Sequence, residues 1–380
     1  MPFEFMAFTR PVAARGNELR RDKPMKNART ISPERNYGLD VARVLAMILV
    51  LSVHISGHGV GSLEGVPVIK EAVVRFFNAL SLPCVDLFAL LSGYLCVTRD
   101  NWRFSRLCSL WIQIVFTGVV TAVVAHFLLG LPLTLFQLLK ACFPILTCQY
   151  WYVNAYVGLF ILMPVLNSGI RATDHRTAHC SLFLGFVLFS LSSVLPGHGA
   201  LFSLNEGYSV AWLVILYWVG GILRLHPLMG NHGSMFFFLL SVLCSVLTWL
   251  QVLAITHIPV VANIFRGNAT LNGYISPTTV LAAVFMLLGC VHLSIRSRYL
   301  CAILPRASAA AFGVYLIHAQ FVVWNGVFAK GAFSCVMSLP LSVLTLFMVA
   351  APVLLFMLLA VLEEWRQRLF AAFIPKRISR

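Results

Sequence analysis

Apolar residues run along this chain in blocks of roughly 20, the length a helix needs to cross the hydrocarbon core of a bilayer. The blocks cover residues 38–57, 73–97, 106–129, 150–166, 180–196, 209–223, 234–254, 277–293, 308–328 and 336–362. They predict an all-α polytopic membrane protein of about ten transmembrane helices, with both termini on the cytoplasmic side. The blocks 150–166, 180–196 and 209–223 are the shortest. Residues 132–148 are also apolar, but Pro132 and Pro144 break them. They read as a re-entrant or interfacial stretch, since an eleventh crossing would reverse the orientation of everything downstream. Low-complexity tracts, long Ser/Gly linkers and internal repeats are lacking. The pattern therefore gives one transmembrane domain, 38–362, between a basic N-terminal tail (1–37) and a basic C-terminal tail (363–380).

Composition sharpens this picture. Apolar residues make up 59% of the 380 positions and charged residues only 11%, against about 25% in soluble domains. With residues 1–37 inside, 22 of the 28 Lys/Arg lie on the cytoplasmic side and 5 in the outer loops, Arg43 standing within the first helix. That asymmetry is the positive-inside pattern. It accounts for the net charge of +15 through anionic lipid headgroups and leaves no role for nucleic acid, which would want a basic, aromatic-studded face on a soluble module. The N-terminal tail has no apolar core, which argues against a cleaved signal peptide; residues 1–24 add little pattern, so Met25 is an alternative start. The ten cysteines are scattered without CxxC spacing and read as small apolar packing residues rather than a disulfide framework. Cys142 and Cys148 are the one pair that could meet outside, and the reading is against it. His175 and His179 lack further nearby ligands, so no metal site is expected, and no nucleotide-binding glycine loop is present.

Ionisable groups in hydrocarbon are costly unless paired or hydrated, so each one left inside a span is a candidate for function. Of the 13 acidic residues only Asp86 sits deep in an apolar block; Asp40 is at the edge of the first helix. Arg43 and His54 lie within the first helix and His318 within the ninth. Eleven steps of about 100° return Arg43 and His54 to one face, about 16 Å apart along the axis. Asp40 lies one turn before this stripe and His58 one turn after it. Counting rise from each helix start puts Asp86 within about one turn of Arg43's level, which predicts a buried Arg43–Asp86 ion pair, functional or simply docking two helices. A near-neutral imidazole at His54 suits a general base acting on a hydroxyl. Arg99, Arg103 and Arg106 follow the second helix. Positive-inside anchoring explains most such arginines; the functional reading is a phosphate clamp, Arg103 and Arg106 being three apart at a helix start.

In this order and spacing the residues resemble the membrane acyltransferase family often called acyltransferase-3, whose members move acyl groups, commonly acetyl, onto polysaccharides and other envelope molecules. The resemblance lies in LDVARVLAMILVLSVH, with Arg43 and His54 in the family's arginine–ten–histidine spacing; in VDLFALLSGYL, similar to VDLFFVLSGFL; in RFSR, matching RxxR at Arg103 and Arg106; and in FGVYLIHAQF, with Tyr315 and His318. It extends along nearly the whole chain, and the ordered set is more specific than any one motif. Where long members with an added extracytoplasmic domain show WSLxxEEQFY, this chain reads QYWYVNAYVGLFILMPVLN, without glutamates. It is therefore similar to the shorter, membrane-only branch, and no glutamate role carries over.

The resemblance implies an acyl-CoA donor, acetyl-CoA above all, entering from the cytoplasm at Arg103 and Arg106. Arg43 would line the inner half of the passage. His54 would deprotonate the acceptor hydroxyl or carry the acyl group briefly itself. The acceptor would be an envelope polysaccharide or a lipid-linked glycan at the plasma or inner membrane, with acyl-CoA a co-substrate rather than a bound cofactor. Asp86 and Asp40 would supply supporting charge, and Tyr315 and His318 an acceptor-side or structural role. Tyr150, Trp151 and Tyr152 read first as an interfacial aromatic belt and second as a sugar-stacking platform. Two rivals remain. A transporter or flippase would show repeated halves with matching broken helices, which the chain lacks. A non-catalytic sensor would not need the Arg43/His54 stripe.

Overall fold

The computed structural model of the protein describes residues 35–99, 103–195, 202, 204–228, 230, 232–265 and 272–373, with residues 369–373 as backbone only. Met25, most of the N-terminal tail and residues 374–380 of the C-terminal tail lie outside the described residues. Among the described residues the regular structure is helical. The elements are α1 (Tyr37–His54), α2 (Val68–Ser81), α3 (Cys84–Cys96), α4 (Phe104–Leu129), α5 (Leu135–Cys142), α6 (Trp151–Ala172) and α7 (His175–Gly185). Then come α8 (Val210–Leu225), α9 (Ser234–His257), α10 (Pro259–Ile264), α11 (Pro277–Val291), α12 (Arg298–His318), α13 (Phe321–Val323) and α14 (Leu341–Phe373).

Among the described residues eight helical runs are long and apolar enough to cross a membrane, and α8 and α11 are apolar but shorter. Together they account for the ten blocks of the sequence. The second run spans α2 and α3 without leaving the helical path, from Val68 to Cys96, bending at Leu82–Pro83 because Pro83 has no N–H to donate. The α1 helix continues into one π turn at Ile55–Gly59, and α7 does the same at Phe186–Ser190. The stretch 132–148 does not cross. It forms only the eight-residue α5, about 12 Å long, started by a reciprocal cap between Thr134 and Gln137.

Two boundaries differ most from the hydropathy reading. The ninth crossing is Arg298–His318, ten residues earlier than 308–328. It ends there because the buried Gln320 turns back and accepts from the backbone N–H groups of Val322 and Val323, starting α13 in a new direction. Arg298 and Arg306 belong to the helix rather than the loop. The last helix also runs on past 362, to Phe373. Its Glu363 is fully buried, salt-bridged to Arg366 and seated against Gly313 of α12, a contact only a residue without Cβ allows.

Burial places the centre of the bundle. In the most apolar 18 residues of each run, the share buried is 67% for α1 and 83% for α2–α3, against 17% for the α7 run. The first two crossings are therefore the core, and leucine- and phenylalanine-rich helices such as α4, α9 and α14 turn one face outward. The α1–α2 seam is polar: Ser81 Oγ donates to Ser52 Oγ at 2.7 Å and Asn78 Nδ2 to Ser56 Oγ at 3.0 Å. The α3–α8 seam is built on glycine: any Cβ at Gly93 would run into the Tyr217 carbonyl, and one at Gly220 into the Leu90 carbonyl. Small residues at helix interfaces let backbones approach this closely.

Candidate active site

Crossings one and nine run in the same direction and pair at two levels. Near the basic end Arg43 Nη1 donates to Ser308 Oγ at 3.1 Å. Near the far end His54 Nδ1 lies 3.1 Å from His318 Nε2. Arg43 and His54 are eleven residues apart on α1, Ser308 and His318 ten apart on α12. The rises are about 16 and 15 Å, so the two polar pairs are rungs of one seam. The shared face expected for Arg43 and His54 is the face α1 turns to α12.

At the basic rung Arg43 is only 3% exposed. Asp40 lies 3.5 Å from its Nη1 and is held more tightly by Arg35, which donates from Nε at 2.8 Å and Nη2 at 3.0 Å. One carboxylate thus serves two guanidiniums, leaving net positive charge. Arg99 follows α3 and Arg106 lies in the first turn of α4, partly buried. Arg103 stands in the extended residue before α4, exposed. The two members of the RxxR motif therefore part, Arg106 inward and Arg103 outward.

The expected Arg43–Asp86 ion pair is not formed. Asp86 is fully buried and accepts from Trp212 Nε1 at 3.0 Å. It opens α3 one turn past the Leu82–Pro83 bend, on the face packed against α8, and so meets a residue of the first turn of α8. Its other oxygen, Oδ2, has no hydrogen-bond partner among the described residues. Matching levels along two helices did not settle which way either side chain points.

The far rung carries the chemistry. His318 Nδ1 lies 2.7 Å from the Val314 carbonyl. A carbonyl only accepts, so Nδ1 bears the proton, and neutral His318 presents Nε2 as an acceptor. His54 Nδ1 must then donate to it. This assignment, made from the hydrogen-bond network, leaves His54 Nε2 with a free lone pair. His54 sits where α1 passes into its π turn, a distortion frequent at functional sites. Trp324 packs edge-on against it at 4.7 Å between ring centroids and Phe328 at 6.1 Å, and Trp324 also meets His58 at 5.1 Å.

A cavity of about 30 Å³ opens beside His54, room for one or two waters. It extends along Met47, Val50 and Val53 of α1, in the direction of Arg43, and is closed by Cys84, Phe88, Phe312, Trp151, Tyr152, Tyr274 and Tyr315. Tyr315 thus reaches the same cavity as His54, and His318 joins it through the imidazole pair. The interfacial-belt reading of 150–152 fails for two of its three members. Tyr150 is buried and donates to the Leu316 carbonyl at 3.0 Å, and Tyr152 is buried in the cavity wall. Successive helical residues point about 100° apart, so three in a row at a helix start cannot share one lipid-facing side. Trp151, partly exposed, packs on Tyr208 and Tyr274 at 4.6 and 6.2 Å.

Ser308, Trp212, Tyr274, Trp324 and Phe328 escaped the reading of the sequence. Four of them are ordinary residues of apolar blocks and Tyr274 lies in the loop before 277–293, so none stands out in the sequence. The ten cysteines, Cys142 and Cys148 included, are free. The His175 and His179 rings meet edge-on at 4.0 Å with His226 beside them, and among the described residues no group of three or more His, Cys, Asp or Glu is placed to hold a metal ion.

A family model described as an acyltransferase domain matches residues 36–373. No curated protein and no solved structure matches the chain. The matched region takes in every crossing, both rungs of the α1–α12 seam and the RxxR segment. The chain belongs to the acyltransferase-3 family and is a multi-pass membrane acyltransferase.

Proposed function

We propose that this protein moves an acetyl group from acetyl-CoA to a hydroxyl of a cell-envelope glycan or its lipid-linked precursor, at the cell membrane. The strongest support is the free Nε2 lone pair of His54, a residue that lines a small cavity and is held in one tautomer by a neutral imidazole partner. The donor enters from the basic, cytoplasmic end, where Arg99, Arg103 and Arg106 meet its phosphates. The pantetheine arm runs past Arg43 along α1, an interval of about 16 Å to His54. The thioester then lies beside His54. Nε2 removes the proton of the acceptor hydroxyl as its oxygen bonds to the carbonyl carbon. The carbon–sulfur bond breaks, and the leaving thiolate takes the proton back from His54, giving the ester and free coenzyme A. A cavity of about 30 Å³ with apolar walls suits a two-carbon acyl group better than a fatty chain.

The test is transfer of labelled acetyl from acetyl-CoA to endogenous glycan in inside-out membrane vesicles. Label appearing in an alkali-labile glycan ester is the expected result; its absence with acetyl-CoA, but presence with a longer acyl-CoA, would overturn the acetyl assignment. The donor clamp makes its own prediction. Changing Arg103 and Arg106 together to Gln should raise the KM for acetyl-CoA about tenfold or more, each charge-assisted bond being worth roughly 1.5–3 kcal/mol. The KM for the acceptor should stay within about twofold, the clamp lying at the opposite end of α1 from the acceptor. A change in the acceptor KM alone would remove these arginines from donor binding.

A further inference from the structure

Tyr152 has a hydroxyl with nothing to bind. It stands in the first turn of α6, 7% exposed, and its Oη has no hydrogen-bond partner among the described residues. Other buried tyrosines nearby are satisfied: Tyr150 donates to the Leu316 carbonyl at 3.0 Å and Tyr217 to Asn167 Oδ1 at 2.7 Å. A buried polar group without a partner costs free energy, and each instance in a native protein calls for a reason. Tyr152 lines the same cavity as His54. Its ring is wedged by Tyr315, Tyr156 and Phe88, each at 6.3 Å between centroids, so the hydroxyl is not at liberty to swing toward another acceptor.

The reaction needs a donor at this place. When the acceptor oxygen adds to the thioester carbonyl, the π electrons move to the carbonyl oxygen, and negative charge develops in a small, mostly apolar cavity, where a hydrogen-bond donor already in place is worth most. His54 cannot supply that hydrogen bond, since its Nδ1–H is committed to His318 and its Nε2 receives the acceptor's proton. We infer that Tyr152 is the oxyanion donor, its Oη–H hydrogen-bonding the carbonyl oxygen of the tetrahedral intermediate opposite His54. The tyrosine keeps its proton throughout. As the carbon–sulfur bond breaks the carbonyl re-forms, the hydrogen bond weakens, and the thiolate takes its proton from His54. The inference rests on the acyl-transfer reading of the His54 cavity.

Full-length Tyr152→Phe should fold and insert normally, since phenylalanine fills the same space. In inside-out vesicles at matched protein level its kcat for acetyl transfer should fall about 100- to 1000-fold, with the KM for acetyl-CoA changed less than about threefold. Its thermal midpoint in detergent should equal or exceed that of the wild type, because the group removed had no partner to lose. Undiminished kcat would overturn the proposal. So would a thermal midpoint lowered by several degrees, whatever the activity, because the hydroxyl would then be shown to have a partner within the protein. His54→Ala measured alongside separates the two readings. Loss in His54→Ala with full activity in Tyr152→Phe removes only the oxyanion donor, whereas full activity in both removes the base as well.

Discussion

Alanine at position 54 is expected to slow acetyl transfer by about 100- to 10,000-fold, the range that a positioned general base contributes. The reason lies in the imidazole pair. His318, fixed by the Val314 carbonyl at 2.7 Å, accepts from His54 Nδ1 at 3.1 Å, so His54 is held on the cavity wall in one tautomer, with Nε2 unprotonated. Alanine removes both the lone pair and the proton store that the leaving thiolate draws on. His318→Ala should cost less, about 10- to 100-fold, because His54 survives but must find its tautomer unaided. The double variant should be no slower than His54→Ala alone, since a positioning residue has nothing left to position. Initial rates with labelled acetyl-CoA at matched membrane levels check this. A His54→Ala rate within threefold of wild type would take the histidine out of the reaction. Multiplying penalties in the double variant would mean that His318 acts independently.

Gly220→Leu should unfold or fail to assemble the bundle, at a cost of roughly 3 kcal/mol or more. The α3 and α8 backbones touch at two points, Gly93 against the Tyr217 carbonyl and Gly220 against the Leu90 carbonyl. A side chain at 220 meets backbone, which cannot rotate away as a side chain can. The helices must separate, and the damage spreads along them. Asp86 on α3 loses Trp212 on α8, its bond at 3.0 Å, leaving a buried carboxyl with neither oxygen satisfied. Breaking buried charged contacts on one side only is among the costliest single changes. The matched control is Gly169→Leu on α6, where a Cβ meets nothing within 4 Å; it should stay within about 0.5 kcal/mol of wild type. Thermal midpoints of the detergent-purified variants compare the two sites. Equal stability at both would mean that the α3–α8 contact is looser than described.

The sequence alone determined the number of crossings, and it did so because a bilayer demands a fixed length of apolar helix with its backbone internally bonded. It also determined that Arg43 and His54 share a face, since eleven residues at 3.6 per turn come back almost to the starting angle whatever surrounds the helix. The family followed from four short motifs in order. These are properties of single segments. The tertiary structure alone decided what each face meets. Two helices at the same depth can turn their charges toward or away from each other, and depth was all that the rise along Arg43 and Asp86 supplied. Backbone contacts at Gly93 and Gly220 set the rotation of α3 against α8 and so gave Asp86 to Trp212. The α1–α12 seam joins residues about 265 positions apart, and no local periodicity reaches that far. Hence His318 as the partner that orients His54, Ser308 as the neighbour of Arg43, and Tyr152 inside the cavity rather than at the membrane surface all waited on packing. Apolar periodicity tells a helix which side to hide, but the choice of what it hides against is made by close fit between segments distant in sequence.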